Sequence, residues 1–192
     1  MKKLVSLLAV LLFTVSTFAQ VKNLASDPAH SRIQFVVTHL GINDITGNFD
    51  SADLQIKADE KNFLNSTFTF SADVNSIDTH IEARDTHLKS ADFFDAANHP
   101  KIVFVSTSVQ KGKQKNYYKL TGNLTMHGVT KPTTLVLVYR GSTVNPMSKA
   151  KTYSYQVLGT LKRSDFGIGP KFPELVISDL VRIKGDFELT EK

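Results

Sequence analysis

Apolar and polar residues alternate along most of the chain, with the period of two that is typical of half-buried β-strands. In 31–39, for example, Ile33, Phe35 and Val37 share one face, and the opposite face includes Arg32, Gln34 and Thr38. The strand-like segments are 31–39, 44–58, 66–76, 102–109, 117–126, 133–140, 152–163 and 180–189. Eight long strands with one apolar face predict an all-β antiparallel fold, either a barrel or a sandwich. A closed barrel is favoured because closure removes exposed strand edges.

The inward-facing positions contain two irregularities. In 44–58 the apolar positions change parity after Phe49, which predicts a β-bulge near residues 50–51. Glycine occupies an inward position at residues 47, 122, 159 and 185. Such glycines mark either bends in the strands or a reduced volume of side chain inside the barrel. Four of them on one parity favour an internal cavity.

Residues 76–94 do not alternate, and they predict a short helical insert between the third and fourth strands. Ile81, Arg84, Asp85 and Leu88 follow at spacings of three and four, which places them on one helical face. If that face packs inward, the two charges need partners, because an isolated buried charge is very unfavourable. They are either a structural ion pair or the polar end of an apolar cavity.

The amino-terminal residues predict export from the cytoplasm. Lys2 and Lys3 precede an apolar run at 4–15, and the small-x-small sequence at 17–19 is typical of a signal-peptide cleavage site. We therefore expect residues 1–19 to be a signal peptide and 20–192 to be one periplasmic domain. We expect no stable membrane anchor, because the apolar run is shorter than the ~20 residues that a spanning helix needs.

Composition narrows the classes of function. The 192 residues contain no cysteine, which excludes disulfides, thiol chemistry and cysteine-ligated metals. Removal of the two lysines in the predicted signal peptide lowers the net charge from +5 to +3. The remaining basic residues are dispersed, without the basic and aromatic stripe that nucleic-acid binding favours. We expect no nucleic-acid partner.

Several short motifs follow one another in order after residue 26. They include DPAHS at 27–31, HLGI at 39–42, RDxHL at 84–88, DFFD at 92–95, GNLTMHGVTKP at 122–132 and RSDFGI at 163–168. Their order and spacing over 24–190 resemble the YceI-like family of bacterial exported lipid-binding proteins. This resemblance implies a lipocalin-like barrel with a long apolar tunnel for a polyisoprenoid chain. It also implies a ligand such as an isoprenoid quinone, a polyprenyl phosphate or another long amphiphile.

The predicted binding site has an apolar wall and a polar end. The candidate wall residues, each of which could instead be ordinary core, are Phe35, Phe49, Phe68, Phe70, Leu120, Leu124, Tyr155, Val157 and Phe187. The polar end or structural network comprises Arg84, Asp85 and His87, with Arg163 and Asp165 as candidate partners. We predict a non-catalytic protein that carries or stores an isoprenoid lipid, and a homodimer is left open.

Two other chemistries are less well supported by the sequence. His80 and His87 share a helical face, but their spacing is wider than that of common zinc sites, so no metal or cofactor is predicted. A small periplasmic enzyme acting on an amphiphile is the alternative function. It could use Asp85 with His87, or Arg163 with Asp165, although the chain has no G-x-S-x-G motif.

Overall fold

The computed structural model describes residues 21–192, which contain eleven β-strands and one α-helix. The predicted signal peptide at 1–19 lies outside the described residues. The elements are β1 (Val21–Ser26), β2 (Arg32–His39), β3 (Asn43–Phe49), β4 (Ala52–Asp59), β5 (Thr67–Asp73), β6 (Ile77–Asp78), α1 (Glu82–Lys89), β7 (Lys101–Lys111), β8 (Tyr117–Met126), β9 (Val129–Val144), β10 (Lys151–Lys162) and β11 (Leu180–Glu191).

The strands form one antiparallel sheet in the order β1-β4-β5-β7-β8-β9-β10-β11-β2-β3-β6, which closes because β1 also pairs with β11. β11 pairs with β1 through residues 189–191 and with β2 through 182–186, so β1 and β2 are successive halves of one barrel strand. In the same way, β3 and β4 are successive halves of a second barrel strand, and β5 and β6 are successive halves of a third. The predicted eight-stranded antiparallel barrel is therefore confirmed, and α1 lies between its third and fourth strands.

The three broken strands are neighbours in the sheet, and they bend it together. β3 ends at Phe49 and β4 begins at Ala52, and both side chains are buried. The inward positions therefore change from odd to even numbers across residues 50–51, as predicted. The neighbouring β5 and β6 are separated by a 3-10 helix, which the Asp73 carboxylate caps by accepting from the Asn75 backbone N–H at 2.9 Å. Beyond this bend, β3 pairs with β6 only at residues 48 and 49. The sheet thus separates at one end of the barrel.

The other end of the barrel is filled by aromatic side chains. Phe63, on a 3-10 helix at Phe63–Asn65, lies with its ring centroid 4.8 Å from that of Tyr118 and 5.7 Å from that of Phe68. The Tyr155 ring is parallel to the Phe63 ring at 6.3 Å. Burial raises the pKa of the Tyr155 hydroxyl, which stays neutral in this apolar cluster. These rings close the barrel end that contains the first residues of β1.

The internal cavity that the inward glycines predicted is present, but neighbouring side chains occupy the space beside the glycines themselves. A methyl group at Gly47 would collide with the Phe35 ring, and one at Gly122 would lie 2.5 Å from the Phe104 ring. A methyl group added at Gly185 would lie 2.6 Å from the nearest atom of the Phe187 ring. Large neighbouring side chains use the space that the glycines leave, so glycine here allows dense packing.

Candidate ligand-binding cavity

A cavity of about 520 Å³ lies inside the barrel, in the half opposite the Phe63 cluster. Its volume falls within the ~300–1,000 Å³ that is typical of small-molecule sites. Inward side chains of the barrel strands form its walls, and α1 and the segment 163–179 cover its end. The lining is predominantly apolar, and the side chains that line it from the strands include Ile33, Phe35, Phe49, Phe70, Phe104, Leu124, Leu135, Val157, Leu161, Ile183 and Phe187.

Six of the nine predicted wall residues line this cavity: Phe35, Phe49, Phe70, Leu124, Val157 and Phe187. Phe68, Leu120 and Tyr155 do not, which corrects the prediction for these three. They point inward but lie toward the closed end, where Phe68 and Tyr155 contact Phe63 and Leu120 is fully buried. Alternation in a sequence identifies the inward face of a strand, but it does not indicate depth along the barrel.

Several cavity residues that lie outside the strands were not predicted from the sequence. Phe93 and Phe94 follow α1, and Ile168, Phe172 and Val176 belong to the segment between β10 and β11. These segments have no regular period, so no pattern predicted which of their side chains face inward. The available signal was composition, because both segments place phenylalanine among turn residues.

Arg84 and Asp85 both bind Thr79, and they do not form the predicted ion pair with one another. Arg84 donates from Nε to the Thr79 hydroxyl and from Nη2 to the Thr79 carbonyl, each at 2.7 Å. Asp85 Oδ1 accepts from the Thr79 backbone N–H at 2.9 Å and from its hydroxyl at 2.5 Å. Thr79 is buried and also packs against Gly47. This network attaches the start of the helical insert to β3.

The structure also corrects two other expectations for the helical insert. Ile81 was expected to share a helical face with Arg84 and Leu88, but α1 begins at Glu82, so Ile81 precedes the helix and is about half exposed. Arg163 and Asp165 were candidate partners of Arg84 and Asp85, but both acceptors of Arg84 and both donors to Asp85 belong to Thr79. Arg84 and Arg163 line the cavity, whereas Asp85 and Asp165 do not.

Arg163 is a buried guanidinium, 8% exposed, that organises the segment covering the cavity. Its hydrogen bonds go to five backbone carbonyl oxygens, those of Ile168, Gly169, Phe172, Ile177 and Ser178, at 2.5–3.3 Å. Backbone carbonyls in an irregular segment have no strand partners, so a multidentate donor satisfies them in one place. Arg163 is therefore fixed by its own segment, whereas Arg84 uses only Nε and Nη2 among the described contacts and keeps Nη1 available.

His87 lies where the two covering segments meet. Its ring packs edge-on against Phe93 and Phe172, at centroid distances of 5.0 and 5.7 Å, and those two rings stack at 4.9 Å. Asp92 bonds Lys171 at 2.6 Å, and this contact holds the pKa of the Asp92 carboxyl below its usual range. His87 is 3.6 Å from Asp92 and Asp85 is bonded to Thr79, so the structure gives the two members of the suggested acid–base pair different partners.

Residues 21–192 contain no cluster of three or more histidine, aspartate or glutamate side chains arranged to hold a metal ion. Within the same residues, no helix has the length and apolar character needed to cross a membrane.

The fold and the apolar cavity define a class of protein, the closed antiparallel β-barrels with an internal cavity. The chain belongs to the YceI family, whose YceI-like domain model matches residues 24–189. A UPF0312 protein of Pectobacterium carotovorum is 34% identical over 190 residues, covering 96% of each chain.

Solved structures show the same barrel. The Campylobacter jejuni YCEI protein aligns with a TM-score of 0.71 and 27% identity, over 81% of this chain and 90% of that chain. A polyisoprenoid binding domain from Saccharophagus degradans aligns with a TM-score of 0.66 over 90% of this chain and all of that domain. Its identity of 16% supports the likeness in fold alone.

Proposed function

We propose that this protein binds an isoprenoid lipid in the cavity and carries or stores it in the periplasm without chemical change. The observation that carries the proposal is the composition of the lining. Its deep part is formed by apolar side chains, and none of the lining residues among 21–192 is an aspartate or glutamate. A dry apolar channel favours a hydrocarbon chain because each buried CH₂ group contributes about 0.8 kcal/mol. A five-carbon repeat therefore contributes a few kcal/mol.

The polar end of the cavity supports a ligand with a head group that accepts hydrogen bonds. Arg84 and Arg163 line the cavity, and His39 and His87 join them toward its open side. Because Arg163 is saturated by carbonyls, Arg84 is the guanidinium with a donor to offer a ligand. A phosphate or a quinone carbonyl suits such a donor, whereas a cationic head group would be repelled.

The six lining residues predicted from the sequence are proposed as contacts to the hydrocarbon chain, and Arg84 as the contact to the head group. Asp85 has a supporting role in this proposal, because its carboxylate holds Thr79 and thereby orients Arg84. The likeness of the barrel to a polyisoprenoid binding domain agrees with an isoprenoid chain as the ligand.

Direct titration tests this proposal. Purified protein is offered a polyprenol or the corresponding polyprenyl phosphate, and complexes are counted by native mass spectrometry. We expect one lipid per protein, with Arg84→Met weakening the phosphate complex more than the polyprenol complex and Arg84→Lys restoring part of the difference.

Two results would contradict the proposal. Failure of both lipids to bind would remove the assignment of the ligand. Conversion of a bound lipid, lost in a folded Asp85→Asn or His87→Ala variant, would instead support the alternative of a small enzyme acting on an amphiphile.

A further inference from the structure

The cavity opens at the end of the barrel opposite the Phe63 cluster. Among its lining residues, His39 and His87 are exposed, and Val37, Ile45 and Val176 are partly exposed. The lining residues contributed by the middle of the barrel, such as Phe104 and Phe187, are almost fully buried. The opening therefore lies between the β2–β3 turn, α1 and the segment 163–179.

Apolar side chains that do not line the cavity project into solvent around this opening. We define the rim as Leu40, Ile42, Ile81 and Leu175. Ile42 is 88% exposed at the β2–β3 turn and Leu175 is 76% exposed, while Leu40 and Ile81 are about half exposed. Single exposed apolar residues are common on proteins, but a group of them at the entrance of an apolar cavity marks an interaction surface.

The rim is joined directly to the opening. The Leu40 backbone N–H donates to the carbonyl of Val176 at 3.1 Å, and His39 forms a β-bridge with Ile177. Leu40 and Leu175 therefore flank the cavity residue Val176. On the α1 side, the Ile81 carbonyl accepts from the Arg84 backbone N–H at 3.0 Å. The rim residues on both sides of the opening are therefore directly connected to residues that line the cavity.

We propose that the rim docks on the surface of a lipid bilayer, so that the isoprenoid chain passes between membrane and cavity without crossing water. This inference rests on the proposed function, because a bilayer is where an isoprenoid lipid resides. Contact of an apolar rim with the acyl region shields the chain throughout its transfer.

Charges near the rim indicate that apolar insertion, rather than attraction to anionic lipids, drives docking. Arg182 is paired with Asp44 beside the β2–β3 turn, and Lys171 is paired with Asp92. Glu174 lies next to Leu175. Since both of these basic groups are matched by acidic ones, docking occurs on zwitterionic lipid and depends weakly on salt.

A fluorescent reporter tests the docking surface, since the chain contains no tryptophan. Ile42→Trp places one reporter in the rim. Met147→Trp is the matched control, 91% exposed in the β9–β10 turn at the opposite end of the barrel. With phosphatidylcholine vesicles we expect a blue shift for Ile42→Trp that persists at high salt, and no shift for Met147→Trp. No shift at either position, or equal shifts at both, would overturn the proposal.

Removal of the rim separates docking from ligand binding. The double variant Ile42→Ser/Leu175→Ser should lower partitioning onto these vesicles about tenfold, because two exposed apolar groups are lost. Val144→Ser/Met147→Ser should leave partitioning unchanged. Binding of polyprenol added in solution should be unchanged in both double variants, because none of the four residues lines the cavity.

The outcomes distinguish the two proposals. Failure of polyprenol binding with intact vesicle docking removes the proposed ligand and retains the docking surface. Intact polyprenol binding without docking by the wild-type protein overturns the docking surface alone. A blue shift of Ile42→Trp that follows protein concentration in the absence of vesicles, with a dimeric mass, assigns the rim to a second copy of the chain and also overturns it.

Discussion

Arg163 shows how one side chain determines the shape of the cavity cover. A buried cation usually lies beside a carboxylate, but here the hydrogen bonds of the guanidinium all end on backbone carbonyls of residues 168–178. The sequence identified Arg163 as a polar candidate but assigned the wrong partners. Pairing with Arg84 and Asp85 could not be judged from spacing alone, because the true acceptors belong to a segment without regular structure.

Arg163→Met should destabilise the protein strongly. Five carbonyls would lose their donor in a buried site, and loss of a charged, buried hydrogen-bonding group costs about 3 kcal/mol or more. We expect the melting temperature, followed by circular dichroism, to fall by roughly 6–12 °C. Arg84→Met is the control and should lower it much less, since Arg84 is half-buried and bonds only Thr79. Equal melting of Arg163→Met and the wild type would refute this role.

At the scale of elements, the sequence predicted most strands but not all their ends. Apolar parity located the break at residues 50–51, because inward residues change phase there. β9 was expected at 133–140, yet it begins at Val129 and includes Pro132. Proline is tolerated because residues 129–135 of β9 pair with β8 but not with β10. A rule that proline ends a strand fails where one side of that strand has no partner.

Two inward glycines should differ in their tolerance of a methyl group. At Gly122 the added Cβ would meet the backbone carbonyl of Val105 and the Phe104 ring, and the β7 backbone cannot move without loss of its pairing. At Gly159 the nearest atom is the flexible Leu135 Cδ2, at 2.6 Å. Chemical denaturation should show Gly122→Ala destabilised by roughly 3 kcal/mol and Gly159→Ala by about 1 kcal/mol. The reverse order would contradict the packing described.

At the scale of the whole molecule, one barrel has a filled half and a hollow half. Alternation predicted the barrel and the inward residues, but it did not separate Phe68 and Tyr155, in the filled half, from Phe70 and Val157, in the hollow half. The difference arises from Phe63. This residue lies on the 3-10 helix between β4 and β5, and its ring fills one end of the barrel. Depth along the barrel depends on such long-range contacts, which no local period encodes.

The two halves should respond differently to an enlarged side chain. Val157→Phe adds volume in the cavity, so it should weaken binding of a polyprenol at least about tenfold while the melting temperature stays close to that of the wild type. Leu120→Phe adds volume in the filled half and should cost about 1–3 kcal/mol of stability instead. Native mass spectrometry and thermal unfolding measure the two effects. Strong destabilisation by Val157→Phe with intact binding would show that Val157 does not face the ligand.

The most direct test of the proposed lipid binding is native mass spectrometry of the protein isolated from cells that express the full sequence, followed by solvent extraction. We expect a bound mass that resolves into an isoprenoid lipid, present in the wild type and strongly reduced in Val157→Phe. Wild-type protein that is isolated empty and remains empty after exposure to polyprenol and polyprenyl phosphate would contradict this expectation.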